Sequence, residues 1–171
     1  MNGSFDFDEV DQFLCGTVGS PGHRTFYLQA LVGSQVVTLK LEKQQVALLA
    51  EYLNRLLAAH DLPAGPAIQL GDLLQPAVPE WSVGSLLVAV NEATGRIVVI
   101  AQQLGDEPDD DDEGEEGVDS VDRAELRMAL TRAQVEAFID AAHELMAGGR
   151  PACRLCGRPV DPEGHTCPRW N

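Results

Sequence analysis

Long hydrophobic runs are missing from this sequence. Its unbroken apolar stretches reach only five residues, as at residues 86–90, whereas a membrane-spanning helix needs about 20. The first eight residues contain two aspartates and no lysine or arginine, where a secretory signal peptide would be basic. The sequence therefore predicts a cytoplasmic protein without a membrane span.

Basic residues are scarce. Twelve lysines and arginines stand against 27 aspartates and glutamates, which gives a formal net charge of −15. Ten of these acids lie within residues 106–119, a stretch that contains no basic residue. Because like charges repel, the charge makes nucleic acid and anionic membrane poor partners. We expect the acidic insertion 106–119 to be mobile and dispensable.

Catalytic motifs are also lacking. The chain has no Gly-Lys-Ser/Thr phosphate loop, and the acidic run lacks the ligand spacing of a calcium loop. No Ser-His-Asp or Cys-His set can be assembled from the sequence, and the carboxylates outside the acidic run are scattered. We assign no catalytic residue, and the sequence favours a protein that is not an enzyme.

The chain does have the hydrophobic periodicity of a globular α+β protein. Apolar residues make up 44% of its 171 positions, enough for a core of its own. Period-two alternation predicts strands, and stripes at helical spacing predict two helices, separated by a proline-rich crossing segment at 61–80. The predicted strands are 12–18, 25–32, 36–41, 81–91, 96–104 and 121–130, and the helices cover 43–60 and 131–147.

The two predicted helices share one pattern. Each apolar position of the first recurs 89 residues later in the second, and the preceding pairs Leu41/Leu130 and Gln45/Gln134 keep that offset. Three strands precede each helix. The sequence therefore predicts a duplicated βββα unit that forms an antiparallel sheet with two helices on one face.

The predicted domain boundaries follow from this pattern. The duplicated domain covers 5–148, with halves at about 5–60 and 81–148, and a small C-terminal zinc knuckle covers 149–171. The alternative to duplication is coincidence, because amphipathic helices resemble one another.

Three of the four cysteines lie in the last 19 residues, in the pattern C-x2-C-x8-H-x-C. Two thiolates two residues apart can reach one tetrahedral ion, and the following glycine permits the tight turn. We predict structural zinc on Cys153, Cys156, His165 and Cys167. A disulfide is disfavoured in a reducing compartment, and a redox C-x-x-C pair would need a different context.

Two groups of polar residues are candidates for binding an anion or a partner. Arg154, Arg158 and Arg169 make the tail basic in an acidic chain. His23 and Arg24 follow a Pro-Gly turn, where they either meet an anion or form only the polar shoulder of a hairpin.

Four segments resemble a bacterial family catalogued as domain of unknown function 3090. They are GSPGHRTFYLQA at 19–30, EKQQV at 42–46, PEWSVG at 79–84 and the tail at 150–169. The resemblance implies an actinobacterial cytoplasmic protein. Members of the family are described beside a phosphatidylinositol-kinase-like protein and a histidine-phosphatase-like protein, and the resemblance assigns no activity. Arg154 and Asn91 depart from the residues common in the family.

Three hypotheses of function follow. The first is a non-enzymatic zinc-binding protein that docks a protein partner as an adaptor or regulator. The second is an enzyme that acts on a small phosphorylated substrate in a cleft between the repeats. The third is weak single-stranded nucleic-acid binding through the basic zinc tail, which the net charge and the shortage of tail aromatics disfavour. The oligomeric state is left open.

Overall fold

A computed structural model describes residues 3–105, 123–149, 151–160 and 163–169. The acidic insertion at 106–119 lies outside these residues, and so does the prediction made for it. The elements, in chain order, are β1 (Phe5–Phe7), β2 (Gln12–Val18), β3 (Thr25–Val32), β4 (Gln35–Leu41), α1 (Lys43–Ala59), β5 (Trp81–Asn91), β6 (Arg96–Gln103), β7 (Glu125–Leu130) and α2 (Arg132–Ala147). The predicted α+β class is confirmed.

The seven strands form one sheet in the order β1-β7-β6-β5-β4-β3-β2. Four neighbouring pairs are antiparallel, but β4 pairs with β5 in parallel, and so does β1 with β7. The prediction of an antiparallel sheet is therefore wrong at two positions. The reason for the β4–β5 pairing is that α1 and residues 60–80 return the chain to the end where β4 began, as a parallel crossover requires.

Strand β1 was not predicted, because three residues are too few to show a period. It forms because it pairs with β7, and Arg127 of β7 bonds both Asp6 and Asp8. Only residues 8–11 separate it from β2, although the two strands are opposite edges of the sheet. A flat sheet would hold these edges about 29 Å apart, whereas the connecting chain reaches about 17 Å. The sheet is therefore strongly curved.

The core lies on one face of this sheet. Alternate residues of the strands are buried in one cluster with the apolar stripes of both helices. Phe13 of β2 stacks on Phe138 of α2 with ring centroids 4.3 Å apart, and Leu53 and Ala142 are fully buried at the centres of their helices. Both stripes are thus buried except at their ends, where Leu56, Leu57 and Met146 are half-buried.

The opposite face of β2 and β3 is covered by the irregular segment 60–80. The side-chain amide of Gln29 makes two hydrogen bonds of 2.9 Å with the backbone of Leu74. Gly16 admits Leu73, because a Cβ on this glycine would come within 2.9 Å of the Cβ of Leu73. The predicted crossing segment thus covers the face of β2 and β3 that is turned away from the helices.

Strand pairing is similar in the two parts of the chain, although β5–β6 has a register shift between Val83 and Ser85 that β2–β3 lacks. Phe26 pairs with Leu41 between β3 and β4, and Ile97 pairs with Leu130 between β6 and β7. The element order β2-β3-β4-α1 recurs as β5-β6-β7-α2.

The third residue of each helix is a glutamine whose side chain bonds a backbone carbonyl in the other part of the chain, in β5 for α1 and in the segment just before β2 for α2. Gln45 accepts from the N–H of Glu42 and donates to the carbonyl of Val83 at 3.1 Å. Gln134 completes a capping box with Thr131 and donates to the carbonyl of Val10. The spacing Thr131-x-x-Gln134 is that of a capping box, which fixes the start of α2. In the described part of the chain, no helix is long and apolar enough to cross a membrane.

Candidate metal centre

The four ligands predicted from the sequence lie together in the structure. One donor atom from each of Cys153, Cys156, His165 and Cys167 falls within 4.8 Å of all the others. The sulfurs of Cys153 and Cys167 are 4.0 Å apart, and the sulfur of Cys156 is 3.3 Å from Nε2 of His165. Residues that are up to 14 positions apart thus converge on one point.

A short turn presents the first two cysteines. The N–H of Gly157 donates to the carbonyl of Cys153 at 2.8 Å, and the N–H of Leu155 donates to its sulfur at 3.4 Å. Gly157 has φ +73°, a left-handed conformation that favours glycine. The glycine after the second cysteine therefore has the role expected of it.

Backbone pairing holds this turn in place. Cys153 donates its N–H to the carbonyl of Arg158, and Val160 donates to the carbonyl of Pro151, at 2.8 and 2.9 Å. Ala152 and Pro159 form an antiparallel bridge. The two cysteines are thus carried by a minimal hairpin that a bound metal ion would hold closed.

The protein surroundings act differently on two of the thiols. Backbone N–H groups of Cys156 and Leu155 hold the pKa of Cys153 below its ordinary value, because hydrogen bonds to sulfur stabilise the thiolate. Burial of Cys167 raises the pKa of its thiol. A metal ion would favour the thiolate form of both, because its positive charge outweighs these effects.

The donor set and its spacing fit zinc. Three sulfurs and one imidazole nitrogen are a usual structural zinc set, and Zn–S bonds of about 2.3 Å in a tetrahedron place sulfurs roughly 3.8 Å apart. The 4.0 Å between Cys153 and Cys167 is close to that separation. The cluster is therefore positioned to hold a metal ion, and its chemistry is consistent with zinc.

The other candidate residues lie in two places. Arg154 and Arg158 are exposed on the metal-binding turn, and Arg169 donates to the carbonyl of Leu155 at 3.1 Å. His23 is exposed beyond the Pro-Gly turn, whose closing bond runs from its N–H to the carbonyl of Ser20. Arg24 donates to the carbonyl of Gly148 at 2.7 Å, which fixes it at the end of α2. Their proposed binding roles stay predictions.

Cys15 is not among the clustered metal ligands. It lies in β2, and burial raises the pKa of its thiol to about 12. Lys43, which the sequence did not single out, lines a cavity with Arg24. Arg24 and Gly148 are 124 residues apart, and no local sequence signal could have brought them together.

The fold and the site define an α+β protein with a C-terminal Cys3His cluster suited to a metal ion. The chain belongs to the family described as "Protein of unknown function (DUF3090)", whose family model matches residues 5–167 and so includes all four ligands. No curated protein and no solved structure matches the chain.

Proposed function

We propose that the protein is a non-enzymatic zinc-binding adaptor or regulator of the cytoplasm, which docks an acidic protein surface through its C-terminal knuckle. The observation that carries this proposal is the arrangement of Arg154, Arg158 and Arg169 around a four-donor metal cluster. All three arginines are exposed on a segment that the cluster can hold rigid.

Zinc supplies the stability that this segment lacks. Cys167 is the one buried apolar residue among the described knuckle residues 151–160 and 163–169, too little for folding by hydrophobic burial. Zinc binding in small modules contributes about 10–16 kcal/mol. Four protein donors fill a tetrahedral site and leave no position for substrate or water, so we assign the ion a structural role.

The charge of the loaded knuckle favours an acidic partner. Three thiolates and one Zn²⁺ sum to −1, while the three arginines and Glu163 contribute +2. The described knuckle residues therefore carry about +1 in a chain of −15. Arg169 is held by Leu155, and this preorders one cation for contact with a carboxylate.

We also propose that β2-β3-β4-α1 and β5-β6-β7-α2 are duplicated units, within a domain of 5–148 followed by the knuckle at 149–171. Equal registers in the two halves support this proposal, as do the reciprocal bonds of Gln45 and Gln134. The duplicated frame would supply a rigid support with one knuckle at one end. An experimental structure whose units fail to superimpose would contradict the duplication.

Metal analysis of the purified protein tests the zinc assignment. We expect one zinc per chain, lost in the double variant Cys153→Ser/Cys167→Ser and retained in Cys15→Ser, the matched control. Protein without zinc, or zinc that survives the double substitution, would overturn the assignment.

Partner capture from native cells, with identification by mass spectrometry, tests the docking role. We expect a partner that is lost on chelation and captured less well by Arg154→Ala, Arg158→Ala and Arg169→Ala. High salt should weaken capture by the wild type and so reduce its difference from these variants, because exposed charges are screened. Arg55→Ala, an exposed arginine outside the knuckle, is the control and should leave capture unchanged. If the three arginine variants capture the partner as well as the wild type does, these arginines have no part in docking.

A further inference from the structure

Two cations from distant parts of the chain line one small cavity at the junction of the helices. The cavity of about 160 Å³ lies between Arg24 of the β2–β3 hairpin and Lys43, the first residue of α1. Both side chains approach the end of α2. A Cβ on Gly148 would lie 3.7 Å from Nη1 of Arg24, and one on Gly149 would lie 3.4 Å from Nζ of Lys43.

Among the residues that the structure describes, no carboxylate lines this cavity. The remaining lining residues are Pro21, Gly22, Phe26, Leu145 and Gly149. Within the described part of the chain, neither Lys43 nor Arg24 forms an ion pair. An unpaired pair of cations is unexpected in a chain with more than twice as many acids as bases.

The opposite end of the helix pair provides an internal comparison. There the first residue of α2, Arg132, also lines a cavity, but Glu136 and Asp140 line it too. Arg132 donates to Glu136 at 2.7 Å. The position in α1 that corresponds to Glu136, four residues after the first residue, is Ala47. The cavity at Arg132 thus has carboxylates beside its cation. The cavity at Lys43 has a second cation instead, and its lining contains no acid.

The backbone dipoles of the two helices contribute little net charge at the cavity. Arg24 donates to a carbonyl at the carboxyl end of α2, which carries about half a negative charge. The amino end of α1, where Lys43 lies, carries about half a positive charge. These backbone contributions cancel and leave the two side-chain charges. A guanidinium has five N–H donors, so the bond to Gly148 leaves most of those of Arg24 for another acceptor.

We propose that this cavity binds a phosphate-sized oxyanion, either free phosphate or the terminal phosphate of a small phosphorylated molecule, held between Arg24 and Lys43. Its volume is below the 300 Å³ or so at which pockets begin to enclose drug-sized ligands. Only the anionic group therefore enters, and any organic remainder stays outside. Guanidinium and ammonium groups are the usual protein donors to phosphate oxygens. None of the four proposed zinc ligands lines this cavity, and the proposal does not depend on the proposed docking role.

Titration of the full-length protein with inorganic phosphate, followed by amide NMR at constant ionic strength, tests the proposal. We expect saturable shifts of the Gly22 and Gly149 amides at millimolar phosphate, and none with an equivalent addition of chloride. Lys43→Gln should weaken binding by about ten-fold or more, because hydrogen bonds to charged groups are strong. Absence of saturable shifts, with phosphate and also with a phosphate monoester, would overturn the proposal.

Two further variants make the result specific. Arg132→Gln removes the corresponding cation at the opposite cavity and should leave the phosphate affinity unchanged. Ala47→Glu introduces the missing carboxylate beside Lys43 and should weaken binding as Lys43→Gln does. If Arg132→Gln weakens phosphate binding as much as Lys43→Gln does, the affinity depends only on the overall charge of the protein. This outcome would also overturn the proposed site. A monoester that binds more tightly than free phosphate would identify the phosphorylated molecule as the ligand.

Discussion

Phe13 and Phe138 stack at 4.3 Å, and under the proposed duplication the residues that match them in the other unit are Leu86 and Leu49. These leucines line an open cavity of about 560 Å³ between α1 and β5. The helix α2 is thus fastened to its strand by an aromatic pair, while α1 has smaller side chains at the same place. The two proposed units therefore differ in how tightly the helix packs on the sheet.

Truncation of the aromatic pair should be costly. We expect Phe138→Ala to lower the free energy of unfolding by about 3–5 kcal/mol, because it leaves a cavity at a fully buried position. Urea denaturation measures this change. Leu48→Ala, at a helix position that is 55% exposed, should change it by no more than about 0.5 kcal/mol. Similar losses in the two variants would contradict the packing described here.

The two helix-initial glutamines should differ in importance. Gln134 is buried, and its replacement in Gln134→Met orphans the N–H of Thr131 and the carbonyl of Val10, at a cost of about 1–3 kcal/mol. Gln45 is only half-buried, so water can replace its partners and Gln45→Met should cost less. Thermal unfolding of both variants, with exposed Gln44→Met as control, measures the order. A larger effect at Gln45 would refute this explanation.

The sequence predicted the helices because their apolar stripes are long, and six of the seven strands from alternating or short continuous apolar segments. It could not predict β1, whose three residues become a strand only through pairing with Glu125–Leu130. The sequence pattern also could not predict the parallel pairing of β4 with β5, which depends on the path of residues 60–80 between α1 and β5. Direction and curvature are set by long-range contacts, which leave no period in the sequence.

The metal site was easier to predict than the second candidate site. Its four ligands lie within 15 residues, and short spacing constrains geometry. Arg24 was noticed as part of a turn, but its position beside Gly148 and Lys43 depends on the packing of α1 against α2. Sequence reasoning about the Arg24 site therefore had no way to include Lys43.

Removal of zinc should unfold the knuckle alone. Its backbone bonds at Cys153, Gly157 and Val160 lie within the metal-fastened hairpin, whereas the buried stripes of the core lie upstream. After chelation, hydrogen exchange at these three amides should become fast, while amides of β3 and β4 keep their protection. Loss of protection in both regions would show that the core depends on the metal.

The four cysteines should react with thiol reagents in two classes. At pH 8, a pKa of about 12 leaves roughly one Cys15 in ten thousand as thiolate, against about a quarter for an ordinary thiol. Alkylation followed by mass spectrometry should therefore modify three cysteines in chelated protein and fewer in zinc-loaded protein, with Cys15 modified only after denaturation. As pH rises, the reactivity of Cys15 should increase only toward its raised pKa. Modification of Cys15 in folded protein at pH 8 would contradict its burial.

Deletion of the acidic insertion should leave the fold intact. The strand ends on either side of it are already joined, because Gln103 donates its N–H to the carbonyl of Ala124 at 2.8 Å and its side chain accepts the N–H of Ala124 at 3.3 Å. A chain lacking 106–119 keeps residues 104, 105 and 120–123 to close this hairpin. The ten acids repel one another, so their removal also lowers the self-repulsion of the folded chain. We expect the melting temperature to stay within a few degrees of the full-length value or to rise slightly at low salt.

A clear fall in the melting temperature would mean that the acidic residues make stabilising contacts. A second variant, in which the ten acids are replaced by Asn and Gln, would then show whether their charge or the length of the chain is responsible.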